Sequence, residues 1–204
     1  MAPNVYARCV WSRSRYCVEW RWLLFAAAWL FTIVCGFALV VDFETKPSAS
    51  ADCEPTWPAG SQLTLAGDET TIVMFLHPAC PCSSASLEEL NQLLADKRVP
   101  AKTYLVIVGP IEAGDTSSNQ DRAATIPNTV LWLDESGEEA HRFGSQTSGD
   151  VFVFDVSGRL RFQGGITAAR GHVGPNAASA AALAAIDGRT TAECHMPVFG
   201  CPLF

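Results

Sequence analysis

A run of 20 residues without a charged side chain, residues 22–41, constrains the fold of this chain most. A helix of this length, with a rise of about 1.5 Å per residue, crosses the roughly 30 Å hydrocarbon core of a bilayer. Residues 1–21 hold four arginines and one glutamate, whereas residues 42–204 hold 10 basic and 20 acidic side chains. Because positive flanks stay in the cytoplasm, the sequence predicts a single-pass membrane protein with residues 1–21 cytoplasmic and the C-terminal domain periplasmic or otherwise extracytoplasmic.

A cleaved signal peptide is the alternative interpretation of the same run. Ala49, Ser50 and Ala51 form the small-residue pattern that a signal peptidase prefers. However, the apolar run is longer than the roughly 7–15 residues of a signal peptide's core, and the triplet lies well beyond its end. A retained transmembrane helix, residues 22–41, is therefore the favoured interpretation.

Beyond the apolar run, the sequence divides into a linker, a folded domain and a tail. Residues 42–61 are rich in Pro, Ser and acidic side chains without apolar periodicity, which is typical of an extracytoplasmic linker. Residues 62–188 alternate apolar strands with helices and end in a hairpin and a helix, which predicts an α/β domain with a mixed sheet flanked by helices. Residues 189–204 are expected to form an irregular tail containing cysteines. The net charge of −10 over residues 42–204 argues against a nucleic-acid partner.

The periodicity also predicts individual elements. Ser83 and Ser84 are suited to cap the N-terminus of the first helix of the domain, in which leucines recur at helical spacing. The expected strands are 71–77, 103–108, 129–134, 151–155 and 159–163, and the expected helices are 83–96, 117–124, 135–143 and 176–186.

The eight cysteines fall on both sides of the predicted membrane helix. Three of them, at positions 9, 17 and 35, precede the apolar run or lie inside it and are expected to be inert. The five others are extracytoplasmic, where disulfides persist; they are Cys53, Cys80, Cys82, Cys194 and Cys201. Because five is odd, at least one thiol is unpaired or pairs with another molecule. Cys53 is expected to be a linker thiol.

Cys80 and Cys82 carry the clearest chemical signal. Cys80 lies between a predicted strand and a predicted helix, where free N–H groups and the helix dipole stabilise a thiolate. The thiolate is the nucleophile of disulfide exchange. A C-x-C disulfide closes almost no loop and stabilises little, so the pair is expected to be redox-active or to bind a metal. We expect Cys80 to be the more accessible thiol, because Cys82 lies within the first helical turn.

The segment of residues 71–94 resembles the active-site strand and helix of thioredoxin-fold proteins, in particular membrane-tethered extracytoplasmic reductases and peroxiredoxins. Cys80 follows Phe75 by five residues, where the attacking cysteine of that superfamily falls. More narrowly, the segments HPACPCSSASLEEL, TSGDVFVFD, GGITAARGHVG and PVFGCPL resemble the RedB-like group with its HPxCPC motif. The resemblance covers about residues 65–204. It implies a thioredoxin-like fold, a catalytic pair Cys80 and Cys82, and a protein thiol or disulfide as partner.

The sequence departs from the thioredoxin pattern at several positions. The second cysteine of the usual C-x-x-C motif would fall at Ser83, so Cys82 is one residue early. The cis-proline that faces the active site in the superfamily corresponds to Gly149 here. Because the rigid cis-proline is absent, the sequence does not support general reductase or isomerase activity on protein disulfides. His77 stands where peroxiredoxins carry a threonine, which does not support peroxidase activity.

Four further residues are candidates for the site. His77 and His172 could tune the thiolate, or they could simply be a strand-end and a surface-loop histidine. Cys194 and Cys201 could form a disulfide that pins the tail, which is the favoured interpretation, or Cys201 could resolve a mixed disulfide at Cys80.

Three functions compete at this point. The favoured one is a thiol–disulfide oxidoreductase in which Cys80 attacks and Cys82 resolves, with no cofactor or resident metal. The alternative is a copper-handling assembly protein, in which Cys80, Cys82 and either His77 or His172 bind Cu(I). The third is an interaction module whose thiols have no chemical role.

Overall fold

The computed structural model describes residues 9–49, 55–110, 118–189 and 195–204, and it divides the chain into two compact units at Phe43 and Glu44. The first unit holds a helix, α1, which spans Cys9–Thr45 and therefore ends two residues inside the second unit. Its portion Trp20–Thr45 is long and apolar enough to cross a membrane, and none of its side chains is buried. The predicted apolar helix is thus confirmed and continues a few residues past Val41.

The second unit holds a six-stranded mixed sheet flanked by helices, which confirms the predicted α/β class. The elements are β1 Thr70–Leu76, α2 Ser83–Asp96, β2 Ala101–Val108, α3 Ser118–Thr125, β3 Thr129–Asp134, α4 Glu138–Phe143, β4 Asp150–Phe154, β5 Leu160–Gly164, α5 Ala177–Ile186 and β6 His195–Met196. The strand order is β3-β2-β1-β4-β5-β6; β1, β2 and β3 are parallel, β4 is antiparallel to β1 and β5, and β6 is parallel to β5.

Two apolar cores lie on opposite faces of the sheet, because successive side chains of a strand point to opposite faces. On one face, Ile72 and Met74 of β1 belong to a cluster with the leucines of α2 and the alanines of α5. On the other face, Phe75 lies in a cluster with Phe143 of α4 and the phenylalanines of β4. Both faces of β1 are therefore buried, which accounts for its continuous apolar sequence.

The ends of the domain differ from the sequence-based expectation. Residues 195 and 196 of the predicted irregular tail form β6, which pairs with Gln163 and Gly164 at the edge of the sheet. Two residues are too few to show strand periodicity, so only the tertiary contact reveals this strand. In the predicted linker, Trp57 packs edge-on against Phe143 and Phe154. The described residues 55–61 therefore pack against the folded domain.

Candidate active site

The two cysteines of the C-x-C motif lie in the segment 77–82, here called the cysteine turn, which connects β1 to α2. The Cys80 N–H donates to His77 O at 3.2 Å, and Cys82 stands at the N-cap position of α2. Asn119 of α3 closes the turn from below, with Nδ2 2.7 to 3.1 Å from the carbonyl oxygens of residues 77, 78 and 80. Asn119 is 2% exposed, so these hydrogen bonds are shielded from water.

The described end of the chain, residues 195–204 and from here on called the tail, brings a third cysteine to this turn. The Sγ atoms of Cys80, Cys82 and Cys201 all lie within 4.8 Å of one another, and all three are free thiols. We call this group the three-thiol cluster. Among the described residues, these three side chains lie close enough together to hold a metal ion, and the structure shows no second such group of Cys, His, Asp or Glu there.

The surroundings of Cys80 favour its thiolate. Burial opposes charge and would raise the pKa of Cys80, but hydrogen bonds from the Ser83 hydroxyl, the Cys201 thiol and amide, and the Cys82 amide together lower it. The hydroxyl oxygens of Ser83 and Ser148 are 2.7 Å apart, and the His77 N–H donates to Ser148 Oγ at 2.8 Å. When Ser83 donates to the thiolate, Ser148 must donate to Ser83, so the three groups form a chain of donors that ends on Cys80.

The other two thiols have the opposite tendency. Burial raises the pKa of Cys82, and the negative charge of Cys80 raises it further. Burial likewise raises the pKa of Cys201, with added contributions from its hydrogen bond to Cys80 and from the charge of Cys80. The Arg170 guanidinium partly offsets both increases. Of the three thiols, Cys80 is therefore the first to lose its proton as the pH rises, and its charge then opposes ionisation of the other two.

The accessibility of the thiols differs from the sequence-based expectation. Cys80 is 2% exposed, whereas Cys82 and Cys201 are both partly exposed. The prediction that Cys80 is the more accessible of the C-x-C pair is wrong, because Cys80 is buried and the thiol and amide of Cys201 in the tail lie against its sulfur. The prediction considered only the helix start and not the distant segment that lies over it.

The tail lies beside residues 146–148 as a short antiparallel segment. The Ser148 N–H donates to Cys201 O at 2.8 Å, and the Leu203 N–H donates to Gln146 O at 2.9 Å. Between these hydrogen bonds, Thr147 and Pro202 form an antiparallel bridge. The same loop contains Gly149, whose N–H donates to Phe75 O at 2.8 Å and whose φ is 93°. The position equated with the superfamily's cis-proline therefore lies beside β1 and is followed directly by β4.

The predicted histidines are outside the three-thiol cluster. His77 Nδ1 accepts a hydrogen bond from the Ala79 N–H at 3.1 Å, so this ring nitrogen caps the cysteine turn. His172 is exposed, and its N–H donates to Ala169 O at 3.3 Å. Cys53 and Cys194 lie outside the described residues, and so does any contact that they make.

Four residues of the site were not identified from the sequence. The sequence predicts Ser83 as a helix cap, yet the N-cap of α2 is Cys82, which makes no side-chain capping hydrogen bond. The Ser83 hydroxyl instead faces Ser148 and Cys80. Ser148, Asn119 and Arg170 reach the site from distant segments. Only Ser83 carried a local signal, namely its position as the missing cysteine of a C-x-x-C motif.

Comparison with known proteins shows likeness in structure. No family model matches the sequence, and neither does any curated protein. An uncharacterized conserved protein from Geobacillus kaustophilus is 20% identical with a TM-score of 0.56, over 78% of this chain and 92% of that chain. A hypothetical protein from Sinorhizobium meliloti 1021 is also 20% identical with a TM-score of 0.55, over 78% and 93%. A protein described as thioredoxin-like, in its oxidized form, is 16% identical with a TM-score of 0.46, over 72% and 97%.

The order of the elements from β1 to α5, with parallel strands first and an antiparallel pair after them in one sheet, is that of a thioredoxin-like fold. At these identities the likeness establishes the fold alone, since one fold hosts many functions. The chemistry of the thioredoxin-like domain has to be argued from its own site, where a strand, a turn and a helix N-terminus present Cys80.

Proposed function

We propose that this chain is a membrane-anchored, extracytoplasmic thiol–disulfide oxidoreductase of the RedB-like kind, with Cys80 as the nucleophile of a C-x-C dithiol. The observation that carries the proposal is the placement of Cys80 in the turn before α2, where the Ser83 hydroxyl and groups of Cys82 and Cys201 donate hydrogen bonds to its sulfur and lower its pKa. A thiolate held in this way is the reactive species of disulfide exchange. A structural cysteine in the same core would instead have its pKa raised by burial.

The proposed reaction is an exchange with a protein thiol or disulfide. The Cys80 thiolate attacks one sulfur of the partner's disulfide, an S–S bond forms between the two proteins, and the partner's other sulfur leaves as a thiolate. A second thiol of the cluster, Cys82 or Cys201, then attacks Cys80 and releases the partner's remaining sulfur. The partner gains two electrons, and the cluster loses two as its own disulfide forms.

Trapping of a mixed disulfide tests this function. Reduced full-length protein in detergent micelles is mixed with a disulfide-bonded peptide, and the products are separated without reductant. We expect the wild type to reduce the peptide and Cys80→Ser to be inactive, whereas Cys35→Ser, a matched control in α1, reacts as the wild type does. If Cys80→Ser reduces the peptide at the wild-type rate, Cys80 is not the nucleophile and the proposal fails.

The orientation in the membrane is a separate part of the proposal. The four arginines before Trp22 and the acidic composition after Val41 support a cytoplasmic N-terminus. A reporter that is active only in the cytoplasm, fused after Phe204, is expected to be inactive. Activity of that fusion would place the cysteines in a reducing compartment and contradict the extracytoplasmic assignment.

A Cu(I)-binding assembly protein is the second candidate, and the three-thiol cluster favours it. Three sulfur atoms within 4.8 Å of one another form a soft ligand set of the kind that Cu(I) prefers. In this version Cys201 takes the third position that the sequence assigned to His77 or His172. The test is retention of Cu(I) by the reduced protein against a competing chelator. Loss of retention in Cys82→Ser and in Cys201→Ser, but not in His172→Ala, supports the copper function.

A further inference from the structure

Gly200 lets the tail approach the loop that precedes β4. A Cβ atom at this position would lie 1.9 Å from the carbonyl oxygen of Ser148, far inside van der Waals contact. Every other residue type therefore pushes the tail away from Ser148. Because Cys201 follows directly, the absence of a side chain at Gly200 is what allows its sulfur to reach Cys80 and Cys82.

Polar contacts hold the same segment from the opposite side. The Arg170 guanidinium donates through Nη1 to Gly200 O and through Nη2 to Ser48 Oγ, the latter at 2.8 Å. The Ser48 hydroxyl in turn donates to Gly200 O at 2.8 Å. The carbonyl that precedes Cys201 is thus bound by two donors from separate parts of the domain. A carbonyl bound in this way fixes the peptide plane from which Cys201 projects.

Apolar side chains on both sides of Cys201 anchor the tail in the domain. Val198 is 1% exposed and Leu203 is 4% exposed, and Leu203 belongs to the core cluster that contains Phe143 and Phe152. The tail is therefore held by specific contacts on both sides of Cys201. We call the surface of the domain that makes these contacts the seat of the tail. While it is seated, Cys80 is 2% exposed and out of reach of a protein disulfide.

We propose that Cys201 is the thiol that resolves the mixed disulfide at Cys80, and that the tail is a cover that leaves and returns in each cycle. The proposal deepens the proposed function and rests on it. Departure of the tail uncovers Cys80 for the partner and leaves the Ser83 hydroxyl and the Cys82 amide as the donors to its sulfur. Return of the tail to its seat places Cys201 against Cys80 and removes the partner from the same place, so resolution and product release become one event.

The exchange balances with the partner's disulfide as the oxidant. Cys80 first forms a mixed disulfide, and the partner's leaving thiolate takes a proton from water. Cys201 then loses its proton and attacks Sγ of Cys80, the mixed disulfide breaks, and the partner's second sulfur leaves as a thiolate that takes up a proton. The products are a partner dithiol and a Cys80–Cys201 disulfide that locks the tail in its seat. A dithiol donor returns the protein to its reduced form by the reverse sequence.

Single-turnover trapping of the full-length chain in detergent micelles distinguishes the resolving thiols. A fluorescent disulfide-bonded peptide is the probe, and non-reducing electrophoresis reads out the mixed disulfide. We expect the mixed disulfide to accumulate in Cys201→Ser and not in Cys82→Ser. Cys201→Ser keeps the tail segment and its backbone contacts, so the result reports on the sulfur. Accumulation in Cys82→Ser alone would overturn the proposal.

Gly200→Ala tests the role of the seat with all three thiols present. The added Cβ displaces the tail, so we expect resolution to slow by about tenfold, equivalent to ~1.4 kcal/mol. Gly67→Ala is the matched control, since its Cβ meets nothing within 4 Å and no positive φ is required. Equal resolution rates in the two alanine variants would contradict a moving cover that must be reseated.

Disulfide mapping separates failure of this proposal from failure of the proposed function. The full-length protein is oxidised by diamide, digested and analysed by mass spectrometry. A Cys80–Cys201 linkage is expected. If the wild type reduces the peptide but forms a Cys80–Cys82 linkage instead, the tail proposal is wrong and the oxidoreductase stands. If the wild type does not reduce the peptide at all, the proposed function itself is wrong.

Discussion

Asp150, the first residue of β4, gives the domain a pH-dependent stability that can be measured. Its side chain is fully buried, and among the described residues neither carboxyl oxygen has a hydrogen-bond partner of normal geometry. Burial raises the pKa of Asp150 to about 7, and the nearby Ser145 hydroxyl and Val151 amide offset the rise only in part. The carboxyl group is therefore neutral in the folded protein at mildly acidic pH.

The sign of the effect follows from the two protonation states. Below an ordinary pKa of 3.8, Asp150 is protonated in both the folded and the unfolded chain. As the pH rises from there to about 7, the unfolded chain loses this proton while the folded chain keeps it, so the free energy of unfolding falls. At about 1.4 kcal/mol per pKa unit, the loss is on the order of 4 kcal/mol and is complete above about pH 7.

Asp150→Asn removes the titrating proton, so the variant is expected to gain stability relative to the wild type as the pH rises from 4 to 8, by on the order of 4 kcal/mol. Pulse proteolysis in urea, applied to the full-length chain in micelles at both pH values, measures the difference. Asp155→Asn is the control of opposite sign. Burial opposes charge at Asp155, but hydrogen bonds led by that from the Ser157 hydroxyl lower its pKa, so its stabilising contribution is lost as the pH falls. A difference between Asp150→Asn and wild type that is the same at pH 4 and pH 8 refutes the argument.

Three further changes act on the site itself. Ser83→Ala removes a donor to the thiolate and is expected to raise the pKa of Cys80, read from the pH dependence of its alkylation; an unchanged pKa would remove Ser83 from the donor chain. Asn119→Ala leaves buried carbonyls of the cysteine turn without a donor and is expected to cost about 2 kcal/mol of stability in urea, whereas a cost near zero would mean that water replaces the amide. Cys80→Ser removes the neighbouring charge and is expected to lower the pKa of Cys201 in an alkylation profile; an unchanged profile would leave burial as the whole cause.

Local patterns predicted most of the fold. The expected helix 83–96 and strand 129–134 coincide with α2 and β3, and the other expected strands and helices of the domain differ at their ends by a few residues, whereas β6 was not expected. Leucines at helical spacing and runs of β-branched residues are signals contained within one segment. The apolar run of α1 is a signal of the same kind, since its length and composition suffice.

The site was predictable only in its local part. Cys80 could be placed at a helix start from the order of strand and helix, and the motif itself identified Cys82. Ser148, Arg170 and Cys201 meet at this turn because the loop before β4, the loop after β5 and the tail close around it. No spacing along the chain encodes these contacts. The burial of Cys80 was missed for the same reason, because the covering residues are distant in sequence.

The charge distribution of the three-thiol cluster is suited to an ordered exchange. While Cys80 is a thiolate, its charge helps to keep Cys201 protonated and therefore unreactive. Once Cys80 is bound in a mixed disulfide, that charge is gone, and one of the contributions that raise the pKa of Cys201 disappears. When the tail returns to its seat, Cys201 again lies near Arg170, which lowers the pKa of Cys201 and binds the carbonyl of Gly200. Cys201 thus becomes easier to deprotonate at the stage when its attack completes the reaction, and the sequence of steps follows from one shared charge.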